Sequence, residues 1–457
     1  LSFSSLGGLG VLAIDFNYPV NSQRQKTGRL RRTLGAMAMD VTPLRVSRDY
    51  RLLYTGQFVS ALGSAISYVV LPWQMYQLTK STFAVGMLGV AEFVPMFLMA
   101  FVGGAMADYI DRRRLVILAE AVMAVLCGAL VFNSLLPQPR VWALILMASL
   151  FAACNSVHRP AIEALTPRIV PPELMPSVSA LRAFGHSAPF IAGASLAGVV
   201  AATLGAAVGY AFDAATFIAS LVMLSLMRAV PPPEAADRPS LRSIKDGLLY
   251  ARGRQELLGT YLIDIIAIFF GMPMALFPAI AERLGAASVG LLYAMPAVGA
   301  MLATLTSRWT GKVNRHGRAV TLSVVAWGLA IVGFGFATKL WVALLCLVAA
   351  FAADMVSGMF RMTIWNQTIP DHLRGRLASI EMISYMTGPY LGNAEAGLVA
   401  SLFGLRASVV SGGLMCVIGA GVLVLFLPGF IRYDGREGVK RKEAEEAERA
   451  ASATSAM

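Results

Sequence analysis

Twelve apolar segments of roughly 20 residues each, divided by short polar turns, leave this chain few ways to fold. They run Leu52–Leu71, Val85–Ala107, Leu115–Leu136, Val141–Leu165, Val178–Ala201, Ala206–Met227, Glu256–Ile280, Ser288–Ser307, Ala319–Ala337, Trp341–Ile369, Ala378–Leu402 and Ala407–Ile431. Hydrocarbon offers the backbone no water to bond, so each segment is expected to cross as a helix that closes its own hydrogen bonds. Composition points the same way. Of 457 residues 57% are hydrophobic and 14% charged, more apolar side chain than a soluble core of this length can hide. The expected class is an all-α integral membrane protein with the lipid bilayer as its solvent.

Only one long polar interruption divides the spans, from Pro231-Pro232-Pro233 to Arg254. It separates an expected six-helix bundle at 51–228 from a second at 256–432, with 229–255 as the linker. Within the linker Leu241, Ile244 and Leu248 recur at helical spacing among charges, the pattern of an amphipathic helix lying on a membrane surface. Residues 1–50 carry five basic residues between Arg24 and Arg32 and no run long enough to span. They are expected either to be a disordered cytoplasmic arm or to precede a start at Met37 or Met39. Residues 433–457 read as a charged, alanine-rich tail, a frayed helix in water.

Basic residues orient the spans. Thirty of the 38 Lys and Arg fall in segments that share a side with both termini, five (Lys80, Arg140, Arg283, Lys339, Arg406) in the opposite loops, and Arg159, Arg182 and Arg361 within spans. Positive charge is retained on the cytoplasmic side, so both termini are expected there. The same bias accounts for the net charge of +12 without nucleic acid as a partner. Cys127, Cys154, Cys346 and Cys416 lie apart in apolar runs and read as packing residues. No phosphate-binding Gly-x-x-x-x-Gly-Lys-Ser/Thr loop, no His-Glu-x-x-His and no spaced nucleophile–base pair appears, which argues against an ATP-driven pump or an enzyme.

The two halves echo each other. Arg159, Ile162 and Thr166 recur 202 residues later as Arg361, Ile364 and Thr368, and Val85-Gly86-Met87-Leu88 is matched by Val289-Gly290-Leu291-Leu292. A duplication with its boundary in the linker explains both matches.

Between the second and third spans stands Gly103-Gly104-Ala105-Met106-Ala107-Asp108-Tyr109-Ile110-Asp111-Arg112-Arg113-Arg114. This hairpin resembles the loop signature of the major facilitator superfamily, G-x-L-A-D-R-x-G-R-K, on Gly104, Met106, Ala107, Asp108, Arg112 and Arg113; Tyr109 and Asp111 depart from it. Further stretches are similar to the subfamily of siderophore and drug exporters: Tyr50–Gly63 with Leu71–Met75, Ala164–Pro171, Ser240–Leu258 and Pro370–Arg376. The resemblance covers about Arg48 to Ile431. It implies two six-helix bundles around a central cavity that opens alternately to each side of a bacterial cytoplasmic membrane. It also implies proton-motive force in place of any cofactor, and a monomer moving a small amphipathic substrate such as a siderophore or drug. Gly185, Pro189, Gly193 and Gly198 on the fifth span resemble the exporters' glycine-proline pattern, with Ala188 departing from it. Import by the same fold, and a receptor or scaffold that no longer transports, are the alternatives.

The resemblance assigns Gly104, Asp108, Arg112 and Arg113 to a conformational latch in which Asp108 faces a helix start in the other half; the plainer reading has Asp108 capping the turn with Arg112. Charge inside a span is costly and needs a reason. Asp264, Asp354 and Glu92 are the candidates for carrying a proton, and His158, Arg159, Arg361 and Glu395 for lining the substrate cavity. Asp354 and Arg361 lie seven residues apart on one helix face, so a structural ion pair competes with the proton reading.

The topology is open to test. A cysteine introduced between Arg242 and Arg254 is expected to react with a membrane-impermeant maleimide only after the cells are opened; labelling of intact cells would invert the orientation.

Overall fold

In the computed structural model the chain is helical, and its long helices satisfy the backbone internally as hydrocarbon requires. The structure describes residues 39–109, 111–228, 253–370 and 374–455, with the backbone alone at 100–109, 374–386, 445–446 and 448–455. The long helices are α1 (Arg48–Thr79), α2 (Thr82–Tyr109), α3 (Arg112–Leu135), α4 (Val141–Ile169), α5 (Met175–Thr203), α6 (Ala206–Ser225), α7 (Gln255–Gly271), α8 (Ser288–Leu305), α9 (His316–Phe336), α10 (Leu340–Thr368), α11 (Arg374–Phe403), α12 (Leu405–Phe426) and the tail helix α13 (Gly435–Ser455). Among the described residues eleven stretches are long and apolar enough to cross a membrane. The 30-residue α11 supplies the twelfth expected span.

In the first half α1 packs on α5 and α6, α2 on α4, and α3 on α4 and α6. The second half repeats the scheme, with α7 on α11 and α12, α8 on α10, and α9 on α10 and α12. Among the described residues the most extensive contacts between the halves are α2 on α11 and α5 on α8, both at the ends of the helices away from the termini, with α1 touching α8 and the Phe277–Leu284 helix beside them. They fall on the segment repeated in the sequence. A Cβ added to Gly86 would lie 2.6 Å from the Asn393 carbonyl oxygen, and one on Gly397 2.6 Å from that of Thr82. Across the other contact, a Cβ on Gly290 would lie 2.6 Å from the Gly198 amide nitrogen. Backbones this close leave room only for hydrogen. Lys80 and Glu282 add an ion pair of 2.5 Å between the halves on the same face. Both are largely exposed, so the pair adds little to stability.

The structure departs from the expected spans in three places. The first helix is longer than Leu52–Leu71, because Ser47 caps it by accepting from the Tyr50 amide and Pro72 is carried inside it. The seventh span, expected as continuous Glu256–Ile280, is broken at Met272-Pro273 and resumes as Phe277–Leu284. Side chains from elsewhere bond the freed backbone. The Ala275 amide donates to Asn393 Oδ1 at 3.0 Å, the Tyr293 hydroxyl to the Met274 carbonyl at 3.0 Å, and Trp327 Nε1 to the Gly271 carbonyl at 3.2 Å. The tail is the third departure. Its beginning docks on the second half instead of fraying, with Tyr433 buried, its hydroxyl 3.0 Å from that of Thr368, and Arg441 3.3 Å from Glu256.

Residues 39–50 are likewise not a free arm. Asp40 accepts from the Ser177 and Thr42 hydroxyls, each at 2.6 Å, and these bonds, that of Ser177 first, hold its carboxyl down at about 2. Residues 1–38 and the linker residues 229–252, including the proposed amphipathic helix, lie outside the described residues. All four cysteines are free.

The glycine contact between α5 and α8 generates a prediction. Overpacking costs roughly 1–3 kcal/mol, which lowers the population of the form with this face closed by roughly 5- to 100-fold. Gly290→Val is therefore expected to reach the membrane at normal level yet transport poorly, and to expose a cysteine at Ser288 to a water-soluble thiol reagent applied on that face more than the parent does. Unchanged labelling and turnover would refute the contact as a closure point.

Candidate functional site

Two to three turns in from the face that bears the termini, both halves place charge inside the membrane. In the first half Arg182 on α5 bonds Glu163 on α4 at 3.1 Å, while Arg159, one turn from Glu163, lies 3.8 Å away. Their side chains are 50%, 47% and 70% exposed. Charged groups so exposed must reach water, and the halves, joined mainly near their other ends, leave a gap on this side through which they can do so. The cluster has one surplus positive charge. His186 stands one turn beyond Arg182 and within electrostatic range of both arginines.

An aromatic ladder lies beside this cluster. Tyr50, Tyr54 and Phe58 climb one face of α1 at centroid spacings of 6.1 and 6.2 Å, and Phe58 stacks on Phe184 of α5 at 6.4 Å. At the inner end of the gap Tyr68 meets Phe190 and Tyr293, each at 5.7 Å, and stays 46% exposed. The broken α7 adjoins this roof, with Met274 Sδ 3.6 Å from the Tyr68 hydroxyl. One wall thus offers cations with a carboxylate, and the rest offers ring faces and thioether.

The second half treats its charges differently. Arg361 on α10 pairs with Asp264 on α7, both nearly buried, so the partner is not Asp354 as helix spacing suggested. Asp354 lies two turns further along α10, half-buried, and no hydrogen bond or ion pair reaches it among the described residues. Glu92 on α2 is also half-buried without such a partner, near Tyr293 and beside Phe93, whose ring meets Tyr390 of α11 at 6.5 Å. Glu395 is half-buried on α11 near Cys416, toward the closed face and away from the other cavity candidates.

His158 points into the first half and not into the gap. It is buried, with Nε2 3.2 Å from Glu120 Oε1, and Gln57 Nε2 donates to the same oxygen at 2.6 Å. Glu120 is wholly buried. Pro160 follows closely on α4, where it removes one backbone donor, and His158 and Arg159 face opposite environments because adjacent helix positions point about 100° apart. Sequence reading missed Glu163, Gln57 and the aromatic ladder. Glu163 had a signal, since Arg159 and Glu163 are spaced i, i+4.

Of the expected latch, Gly104 and Asp108 lie on the part of α2 described by its backbone alone. Arg112 donates to the Ala164 carbonyl at 2.8 Å, and Arg113 to the carbonyls of Leu224 and Ser225 at 2.9 and 2.6 Å. The two arginines therefore cap the ends of α4 and α6 within their own half. Asp111 caps α3 by accepting from the Arg113 amide at 2.9 Å.

Known proteins resemble this chain in sequence and fold. Residues 38–440 match the family of transmembrane secretion effectors. Over 397 residues the chain is 28% identical to the enterobactin exporter EntS of Citrobacter koseri, across 86% of this chain and 95% of that protein. Among solved structures, a bacterial homologue of the lysosomal transporter Spinster, inward-facing and unoccupied, aligns with a TM-score of 0.67 at 15% identity over 85% of this chain and 98% of its own. A mutant of the nucleoside transporter NupG aligns with a TM-score of 0.68 at 12% identity, over 82% and 98%. These two structures share the fold.

The Asp264–Arg361 pair generates a stability prediction. Removing one partner leaves a buried charge uncompensated, at a cost of roughly 3–5 kcal/mol. Arg361→Met is expected to lower the melting temperature of the purified protein strongly, and Asp264→Asn with Arg361→Met to restore most of the loss. Additive losses in the double variant would show that the two groups do not depend on each other.

Proposed function

The chain belongs to the transmembrane secretion effector family of major facilitator transporters, and on that premise we propose that it is a proton-coupled exporter of an amphipathic, aromatic, anionic compound of the siderophore kind. The observation that carries this reading is the exposed Arg159–Glu163–Arg182 cluster beside the accessible rings Tyr54, Phe58 and Phe184 of the ladder, whose first ring, Tyr50, is buried. A ligand with ionised oxygens at one end and a ring at the other satisfies both at once: the arginines by charge-assisted bonds, the ladder by stacking. The enterobactin exporters among its relatives support the same substrate class.

With the termini cytoplasmic, as the thirty-to-five bias favours, the gap faces inward and the glycine contacts close the periplasmic side. This is the state that takes substrate from the cytoplasm. Rocking about the two contacts carries it across, and an outward form would bring the hairpin of Asp108, Arg112 and Arg113 against the other half as a latch. The carriers of the proton are Asp354 and Glu92, one in each half. Asp264 is held by Arg361 and Asp213 by hydroxyl and thiol donors, whereas these two meet no charge or donor among the described residues, and an acid isolated in the membrane is neutralised by a proton.

A strain lacking its own siderophore exporter, grown under iron limitation and carrying this gene, is expected to recover siderophore in the medium. An uncoupler should abolish that recovery. Losing one charge-assisted bond costs roughly 1.5–3 kcal/mol, so Arg182→Gln should reduce export roughly tenfold or more. Resistance to hydrophobic drugs without siderophore release would move the substrate class, accumulation of a solute would reverse the direction, and no flux in either assay would leave a receptor.

A further inference from the structure

Beneath the tail helix lies a cavity of about 500 Å³ that the transport reading does not use. Its walls come from the α8–α9 loop (Thr310, Asn314), the first residue of α9 (His316), the last turns of α10 (Gln367) and the first turns of α13 (Arg436, Lys440). No carboxylate lines it. Arg436 and Lys440 stand one turn apart on α13 and so present two cations to one side. Of the two acids beside them in sequence, Asp434 caps the helix, accepting from the Arg436 amide at 2.9 Å, and Glu437 is exposed and does not line the cavity.

Three further observations converge on the cavity. His316 is 94% buried, counting from its 6% exposure, between the rings of Phe360 at 5.6 Å and Tyr433 at 6.2 Å. Its Nε2 donates to the Val313 carbonyl at 2.9 Å, which leaves Nδ1 as an acceptor, and that buried atom has no partner among the described residues. The start of α9 has no side-chain cap, and although the His316 amide donates to the Asn314 carbonyl at 3.1 Å, the positive end of the helix dipole lies at the cavity. Lys312, Arg315 and Arg318 stand exposed around the same turn and add to the positive field.

We propose that this cavity is a binding site for a phosphoglycerol group, its phosphate held by Arg436 and Lys440 in the positive field at the start of α9 and a glycerol hydroxyl donating to His316 Nδ1. A bare anion would leave Nδ1 unbonded, and a neutral polyol would leave the cations unpaired; the phosphoglycerol chemistry meets both needs. Two sources carry it, the headgroup of phosphatidylglycerol at the membrane surface and soluble glycerol phosphate. Because the cavity joins α13 to α10 and to the α8–α9 loop, an occupant would fasten the tail to the second half. The inference is independent of what the protein transports.

The test is thermal unfolding of the purified full chain titrated with phosphatidylglycerol, phosphatidylcholine or glycerol 1-phosphate. Phosphatidylglycerol or glycerol 1-phosphate is expected to raise the melting temperature and phosphatidylcholine to leave it unchanged. Response to the lipid alone identifies the membrane as the source; response to glycerol 1-phosphate identifies a soluble ligand. Arg436→Gln with Lys440→Gln, two surface changes, should weaken apparent affinity roughly tenfold or more. His316→Phe keeps the ring contacts and removes the acceptor, so a loss of roughly three- to tenfold is expected there. Equal affinity in the parent and the Arg436→Gln, Lys440→Gln variant, or no response to either phosphoglycerol probe, would overturn the site.

Discussion

Inside hydrocarbon a polar group must find its partner within the protein, and most of this structure follows from that requirement. It makes the spans helical, and it decides where a helix can break. The interruption of α7 is tolerated because Asn393, Tyr293 and Trp327 bond the backbone groups it frees. Buried side chains obey the same rule. Gln74 donates to Ser134 at 2.9 Å and accepts from Tyr210 at 2.9 Å, and Asp213 is held by Ser64 and Cys127, each at 3.3 Å. Where no polar partner is needed, contact between the halves is made by bare backbone at Gly86, Gly397, Gly198 and Gly290.

That requirement also sorts the charges. Glu120 with His158 and Asp264 with Arg361 are pairs enclosed by the protein, so each ties helices together within one half. Arg159, Glu163 and Arg182 are exposed, so they belong to a surface that water and a ligand can reach. Asp354 and Glu92 have neither arrangement: each is half-buried, with no hydrogen bond or ion pair among the described residues. Three environments separate groups that look alike in the primary structure.

Much was legible before any fold. The hydropathy pattern marked the spans because length and apolarity suffice to define a membrane helix. The Gly86 and Gly290 repeat was visible as a duplication, and its purpose emerged only when each glycine proved to touch the opposite half. Helix spacing proposed Asp354 for Arg361 and was wrong, since Asp264, 97 positions away in the numbering, lies nearer in space. His158 and Arg159 are neighbours in sequence with opposite fates, one in the core and one in the gap. The tail read as solvated from its charge, yet Tyr433 and Arg441 anchor its beginning on groups contributed by α10 and α7.

By itself the sequence determined the number of spans, the twofold repeat, the side on which positive charge collects and the family, because each depends on local composition or on motifs that survive without coordinates. Tertiary structure alone decided which charges are paired, which face is closed, and which residues share the gap. Those outcomes depend on how helices distant in sequence turn toward one another, and a helix carries no record of its rotation until a neighbour packs against it.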